Sequence, residues 1–302
     1  MVQAGQLPLA VALDLFEAKV EGSVRFARWL LVIAPNAQRA YNEAYENWAR
    51  AFLGSPAWRS AAIARGEVSW KLDGFHRAIL DMAVRRAKLW TLPPGDLHGL
   101  IFQAACRPGS GSWADRSLQI LKDANVPDFP CWDTGDGTLP SYAKYVQCLL
   151  EKACLLEWRQ AVSTHVSPIP YLDLSSCPSP NPRCILLACG LSWPTLLGHV
   201  SMCRMRAGLV DLGHIEHRRS QANKIRCCLG CNQRVRAALI HALAVCPRWQ
   251  PERSLLPYGW DTNEPLALAS AVLLVSPSDP VFSVCVALVV KIARDAAQFW
   301  TE

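Results

Sequence analysis

The segment CLGCNQRVRAALIHALAVC sets Cys228, Cys231, His241 and Cys246 in the order C-x2-C-x9-H-x4-C. No other feature of the chain constrains its local fold so tightly. Two cysteines separated by two residues can grip one ion from a tight turn, and the helical stretch that follows carries the histidine back toward them. Gly230 is expected to let the backbone curl between the two thiols. Cys246 comes after one further turn, where Pro247 ends the helix. Three thiolates and one imidazole make a closed, structural Zn2+ site with no position left for water. Two other readings fit the same residues. They are buried free thiols, or a redox Cys-x-x-Cys pair, although no βαβ pattern surrounds this one. Cys227 is an alternative ligand to Cys228.

The charge is gathered around the same segment. Between Met202 and Arg253 stand ten Lys or Arg residues against three acids, an excess of seven in a chain whose net charge is only +6. Arg204, Arg206, Arg218, Arg219, Lys224, Arg226, Arg234 and Arg236 are therefore the candidate phosphate contacts of an RNA- or DNA-binding surface. His214, His217 and Trp249 are candidates for stacking on unpaired bases. The alternative is a solvated basic face around a structural metal.

The rest of the chain reads as mainly α-helical. Apolar residues recur at helical spacing over about 9–33, 37–53, 72–91, 95–106, 139–163 and 195–207. Ser112 is positioned to cap a helix over 113–124, and a short helix with a turn at Gly66 precedes Trp70. Ser220–Cys231 is turn-like, Val235–Val245 helical, and 264–300 gives two buried helices. No strand pattern exceeds a few residues. Five prolines in 166–183 mark a linker. The expected organisation is a helical region at 1–165, a Pro-rich linker at 166–193, and a basic zinc-binding region with C-terminal helices at 194–302. With 51% hydrophobic and 19% charged residues, the chain falls outside the disordered class. No apolar run reaches the roughly 18 residues of a membrane span, and the N-terminus lacks a basic signal-peptide region. Thirteen cysteines without such a signal read as reduced thiols, Cys106, Cys148, Cys154, Cys203 and Cys285 among them, in a nuclear or cytoplasmic setting.

These residues resemble a known family. Arg204-Met205-Arg206-Ala207-Gly208, then C-x-x-C, then HALAVCPRW, look like the reverse-transcriptase zinc-binding domain near the C-terminus of non-LTR (LINE-type) retrotransposon polyproteins. Cys228, Cys231, His241, Cys246 and Pro247 match its pattern position by position. Where that pattern has a short acidic stretch, this chain has Arg234 and Arg236. Phe52-Leu53-Gly54-Ser55-Pro56 and Gly66-Glu67-Val68-Ser69-Trp70 are similar to the segment after the polymerase palm. The likeness covers about 10–92 and 195–250. It implies a thumb, connector and zinc region that binds nucleic acid and packs with a reverse-transcriptase catalytic domain.

The residues themselves point away from catalysis. The chain has no Asp-Asp pair to hold polymerase Mg2+. Asp133-Thr134-Gly135 spells the aspartic-protease triplet, but it lies in a Gly/Pro/Asp turn cluster, where those residues are common. G-x-S-x-G, P-loop and dinucleotide fingerprints are absent. His76 and His98 read as structural histidines with no cysteine or acid at ligand spacing. The competing function class is a non-enzymatic helical scaffold for protein interaction, presenting the apolar faces of 9–33 and 72–91 with Trp29, Trp48, Trp70 and Trp90 near helix ends.

Overall fold

The computed structural model describes residues 7–55, 60–133, 137–163, 191–210, 226–228, 230–235, 238–257, 260 and 264–298. The fold is mainly α, and its strand content among these residues is one short antiparallel pair. The chain divides into two compact units that differ from the expected organisation. Residues 15–48 and 71–158 form one; residues 1–14, 49–70 and 159–302 form the other. The first 165 residues are thus split between the two. The proposed linker falls largely outside the described residues.

The apolar stretch at 9–33, which reads as one helix, is interrupted. Its start is α1 (Leu9–Phe16), followed by a π-helical stretch, Glu17–Glu21, then α2 (Gly22–Arg25) and α3 (Arg28–Leu31). A π insertion rotates the following residues on the helix surface. Here it accompanies burial of Glu21, whose carboxylate pairs with buried Arg28, and Arg28 Nε also bonds Asp81 at 2.7 Å.

Helix α4 (Pro35–Phe52) follows, and α5 (Ala61–Glu67) contains Gly66 instead of turning there. The turn comes at Ser69, with φ +57°. Helix α6 (Gly74–Trp90) supplies Ile79, Met82, Ala83 and Ala87 to the core of the unit of 15–48 and 71–158. Helix α9 (Leu139–Ser163) adds Tyr142, Val146, Leu150 and Cys154. Between them run α7 (Leu97–Ala105) and α8 (Trp113–Asp123), capped by Asp96 and Ser112. Arg86 is wholly buried here. Its guanidinium donates to both carboxylate oxygens of Asp128 at 3.0 and 2.5 Å, to the Ala114 carbonyl at 2.5 Å and to Ser117 Oγ at 2.7 Å.

In the other unit, α10 (Trp193–Arg206) packs beside α13 (Pro265–Leu274) and α14 (Phe282–Gln298). The crossing of α10 and α14 requires a glycine. A Cβ on Gly198 would lie 2.6 Å from Val286 Cγ1 and 2.8 Å from Val290 Cγ2. Arg206, at the end of α10, is buried and grips Glu67 of α5 through Nε (3.1 and 3.0 Å) and Nη2 (2.6 Å), and donates to the Leu273 carbonyl at 2.9 Å.

His199 lies in the same core, with the Cys203 sulfur 3.7 Å from its Nε2. Burial, with help from nearby Arg206, holds its imidazole down to about 3. The unfolded chain binds this proton near pH 6.5 and the folded chain resists it, so stability falls as pH drops below that value. From about pH 7 to about pH 5 this residue is expected to cost roughly 2 kcal/mol. Urea titrations at both pH values should show His199→Leu losing that much less than the parent. Equal losses would contradict the assignment.

Candidate metal centre

The Cys-x-x-Cys pair sits on a tight hairpin. Strand β1 (Arg226–Cys227) pairs antiparallel with β2 (Arg234–Val235), Arg226 opposite Val235 and Cys227 opposite Arg234. This replaces the helix expected to begin at Val235. Within the turn the Cys228 amide donates to the Gln233 carbonyl (2.8 Å), the Asn232 amide to the Cys228 carbonyl (2.7 Å), and the Gly230 amide to Cys228 Sγ (3.3 Å). Asn232 takes the left-handed conformation at φ +59°, which asparagine tolerates better than most residues. Gly230 is needed for a different reason from the one the sequence suggested. A Cβ there would stand 2.9 Å from Cys246 Sγ and 3.0 Å from the Trp249 ring.

The other two donors come from α11 (Ala238–Ile240), which continues as a π-helical stretch, His241–Val245. The Cys246 amide closes on the His241 carbonyl at 2.7 Å, and Pro247 opens a 3-10 turn. Helix α12 (Gln250–Arg253) then ties the segment down. Buried Arg253 donates to the carbonyls of Cys246 (2.5 Å) and Ala242 (3.4 Å). Trp249 Nε1 bonds Asp295 of α14 at 3.0 Å, and Arg248 Nε reaches the same carboxylate oxygen at 3.3 Å.

These elements bring the four predicted ligands together. Cys228 Sγ is 3.6 Å from Cys246 Sγ, Cys231 Sγ is 3.3 Å from His241 Nε2, and all four donor atoms lie within 4.8 Å of one another. Bonds of about 2.3 Å to sulfur and 2.0 Å to nitrogen give tetrahedral edges of about 3.8 and 3.5 Å. The observed spacings are close to these, and the sulfurs are far beyond the roughly 2.05 Å of a disulfide. Cys228, His241 and Cys246 are buried and Cys231 is half-buried. Burial, reinforced by the neighbouring Cys228 and Cys231 thiols and opposed by the Arg248 amide, pushes the Cys246 thiol up to about 12. A divalent cation among these sulfurs would supply the opposite charge that thiolates require. The cluster could hold a metal ion.

Comparison with protein-family models, curated proteins and solved structures gives no match.

The candidate nucleic-acid contacts fare differently. Arg206 turns inward to Glu67, so its guanidinium is unavailable to a phosphate. Arg204 is half-buried, with Nε lacking a hydrogen-bond partner among the described residues. Arg218, Arg219, Lys224, Arg236, His214 and His217 lie outside the described residues, as do the side chains of Arg226, Arg234 and Cys227. Trp249 is 2% exposed, buried against the Cys-x-x-Cys turn, and cannot stack on a base as placed. Asp295, which anchors both Trp249 and Arg248, was not anticipated. It lies 46 residues from Trp249, and only its i,i+4 partner Lys291 (2.8 Å) hints at a role.

Proposed function

We propose that the chain is a nucleic-acid-binding protein whose basic segment is organised by a structural Zn2+ at Cys228, Cys231, His241 and Cys246, without catalysis of its own. The convergence of these four side chains, two from the hairpin turn and two from the His241–Cys246 stretch, carries the reading. Three sulfurs and one nitrogen suit zinc and leave no ligand position for a reacting water. The metal fixes a turn whose strands bear Arg226 and Arg234 at adjacent register positions. Arg218, Arg219, Lys224 and Arg236 flank it in sequence. Further support comes from the Arg206–Glu67 pair, which joins two of the segments that resemble a non-LTR reverse transcriptase. In that setting the chain would work beside a polymerase domain as an RNA- or DNA-holding accessory.

Titration of the purified chain with fluorescent single-stranded RNA and DNA at rising salt tests this reading. Contacts from Arg218, Arg219, Lys224, Arg226, Arg234 and Arg236 predict a log–log slope of about −4, at about −0.7 for each phosphate. Arg226→Gln with Arg234→Gln should flatten it by about one unit. Absence of binding at low salt would overturn the proposal.

One observation favours a protein-interaction scaffold instead. Leu97, Leu100 and Ile101 form an exposed i, i+3, i+4 stripe on α7, each at least half exposed. A chain that ignores nucleic acid but captures a helical partner through this stripe would support the scaffold.

A further inference from the structure

A second group of donors, remote in sequence from the first, lies within the unit of 15–48 and 71–158. Asp73 precedes α6 and caps it, its Oδ1 accepting the His76 amide at 2.9 Å. The same oxygen stands 2.9 Å from His76 Nδ1. Cys154 comes from the middle of α9, its sulfur 3.9 Å from Asp73 Oδ2. One donor atom from each residue lies within 4.8 Å of the others, and all three residues are buried, Cys154 completely. This corrects the sequence reading of His76, since an acid stands one helical turn before it and a cysteine reaches it from another helix.

A capping aspartate bonded to a histidine is a common structural device. The Cys154 thiol, buried beside the second oxygen of that carboxylate, adds a soft donor to the pair. A cation bound to all three would satisfy them together. We propose that Asp73, His76 through Nδ1, and Cys154 form a second metal site for a borderline divalent ion of the Zn2+ or Co2+ type. One oxygen, one nitrogen and one sulfur donor suit such an ion better than Ca2+ or Mg2+, which take oxygen ligands.

The surroundings fit the ion as well as the donors do. Tetrahedral edges of about 3.3 Å for N···O and 3.5 Å for S···O follow from ordinary zinc bond lengths. The nearest contacts, 2.9 Å from His76 Nδ1 to Oδ1 and 3.9 Å from Cys154 Sγ to Oδ2, involve the two different oxygens of Asp73, and one donor atom from each of the three residues lies within 4.8 Å of the others. With Nδ1 on the metal, the opposite ring nitrogen carries a proton. His76 Nε2 lies 3.9 Å from Glu157 Oε1, one turn beyond Cys154 on α9, so a small shift of this exposed carboxylate would let it accept that proton. Carboxylate orientation of a metal-bound imidazole is the usual outer-shell arrangement. Asp73 and Glu157 both line an open cleft with Asn42 and Arg39. Three protein donors beside a cleft leave a fourth position for water or another small ligand, as catalytic zinc sites do and closed structural sites do not.

Metal analysis of the full chain, stripped and reloaded with Zn2+ or Co2+, tests the site. The expected content is two ions per chain, falling to one in Cys154→Ala and to one in Cys231→Ser. A parent with one ion that survives Cys154→Ala overturns the second site and leaves the first. One ion lost in Cys154→Ala but kept in Cys231→Ser does the reverse. Glu157→Gln, a change at an exposed side chain, keeps the test readable should Cys154→Ala fail to fold. It is expected to weaken Co2+ binding at one of two sites by about 10- to 100-fold. Two unaltered affinities in that variant would overturn the assignment.

Discussion

Cys246→Ser is expected to release the ion and unravel the segment from β1 to α12. The physical reason lies in how short its pieces are, with Arg253 and the Trp249–Asp295 bond anchoring only their C-terminal side. The hairpin strands are two residues each, α11 is three, and the connecting hydrogen bonds are those of single turns. Such pieces are not stable by themselves. A metal bond between the hairpin and the His241–Cys246 stretch would close them into one body. Structural zinc in small peptides contributes about 10–16 kcal/mol of binding that is also folding free energy. A domain has only about 5–15 kcal/mol to lose. The loss should spread, because Cys228 and Cys246 share a core with Trp249, Leu243, Leu268 and Val289. Hydrogen exchange should therefore show protection lost across α11, α12 and the facing turns of α13. Cys285→Ser is the control. Cys285 is as buried as Cys246 and lies in the same core, but it is not among the four donors. It should keep its metal and cost only about 1–3 kcal/mol, the penalty for burying a hydroxyl. Equal behaviour of the two variants would contradict a metal role for Cys246.

Arg206→Ala is expected to cost about 3–5 kcal/mol, as removal of one partner from a buried ion pair does. Glu67 is 1% exposed and Arg206 is nearly as buried, so the carboxylate would lose its guanidinium without gaining water. The Leu273 carbonyl would lose its donor in the same step. Replacing both charges with apolar groups, Arg206→Met with Glu67→Leu, should recover much of the loss. Urea unfolding of the single and double variants measures this directly. Nucleic-acid affinity of the folded fraction should not change, since this arginine faces inward. A variant of parental stability with weakened RNA binding would return Arg206 to the surface role its sequence context suggests.

The history of Arg206 shows which information a linear sequence carries. Features decided within one helical turn were legible. Ser112 caps α8 as its position implies, and C-x2-C with H-x4-C identifies four side chains that meet. What required distant partners was hidden. The arginine of a basic run looks like a phosphate contact until Glu67, 139 residues away, is placed beside it. Trp249 looks available until Asp295 is placed under its ring nitrogen. His76 looks isolated until α9 delivers Cys154, 81 residues beyond Asp73. The apolar periodicity of 9–33 was real, but the buried Glu21–Arg28 pair accompanies a π insertion and breaks that periodicity could not reveal. At Gly230 the sequence points to the right residue for the wrong reason. Its value is the missing Cβ beside Cys246 and Trp249, while the left-handed turn position belongs to Asn232.

One ion is expected to bind Cys228, Cys231, His241 and Cys246 together. Cadmium NMR of the cadmium-loaded chain addresses it most directly, because the metal resonance moves downfield with each thiolate bound. A resonance in the three-thiolate range that disappears in Cys246→Ser is the predicted result. A spectrum with no thiolate-rich resonance, or one that Cys246→Ser leaves unmoved, would contradict it.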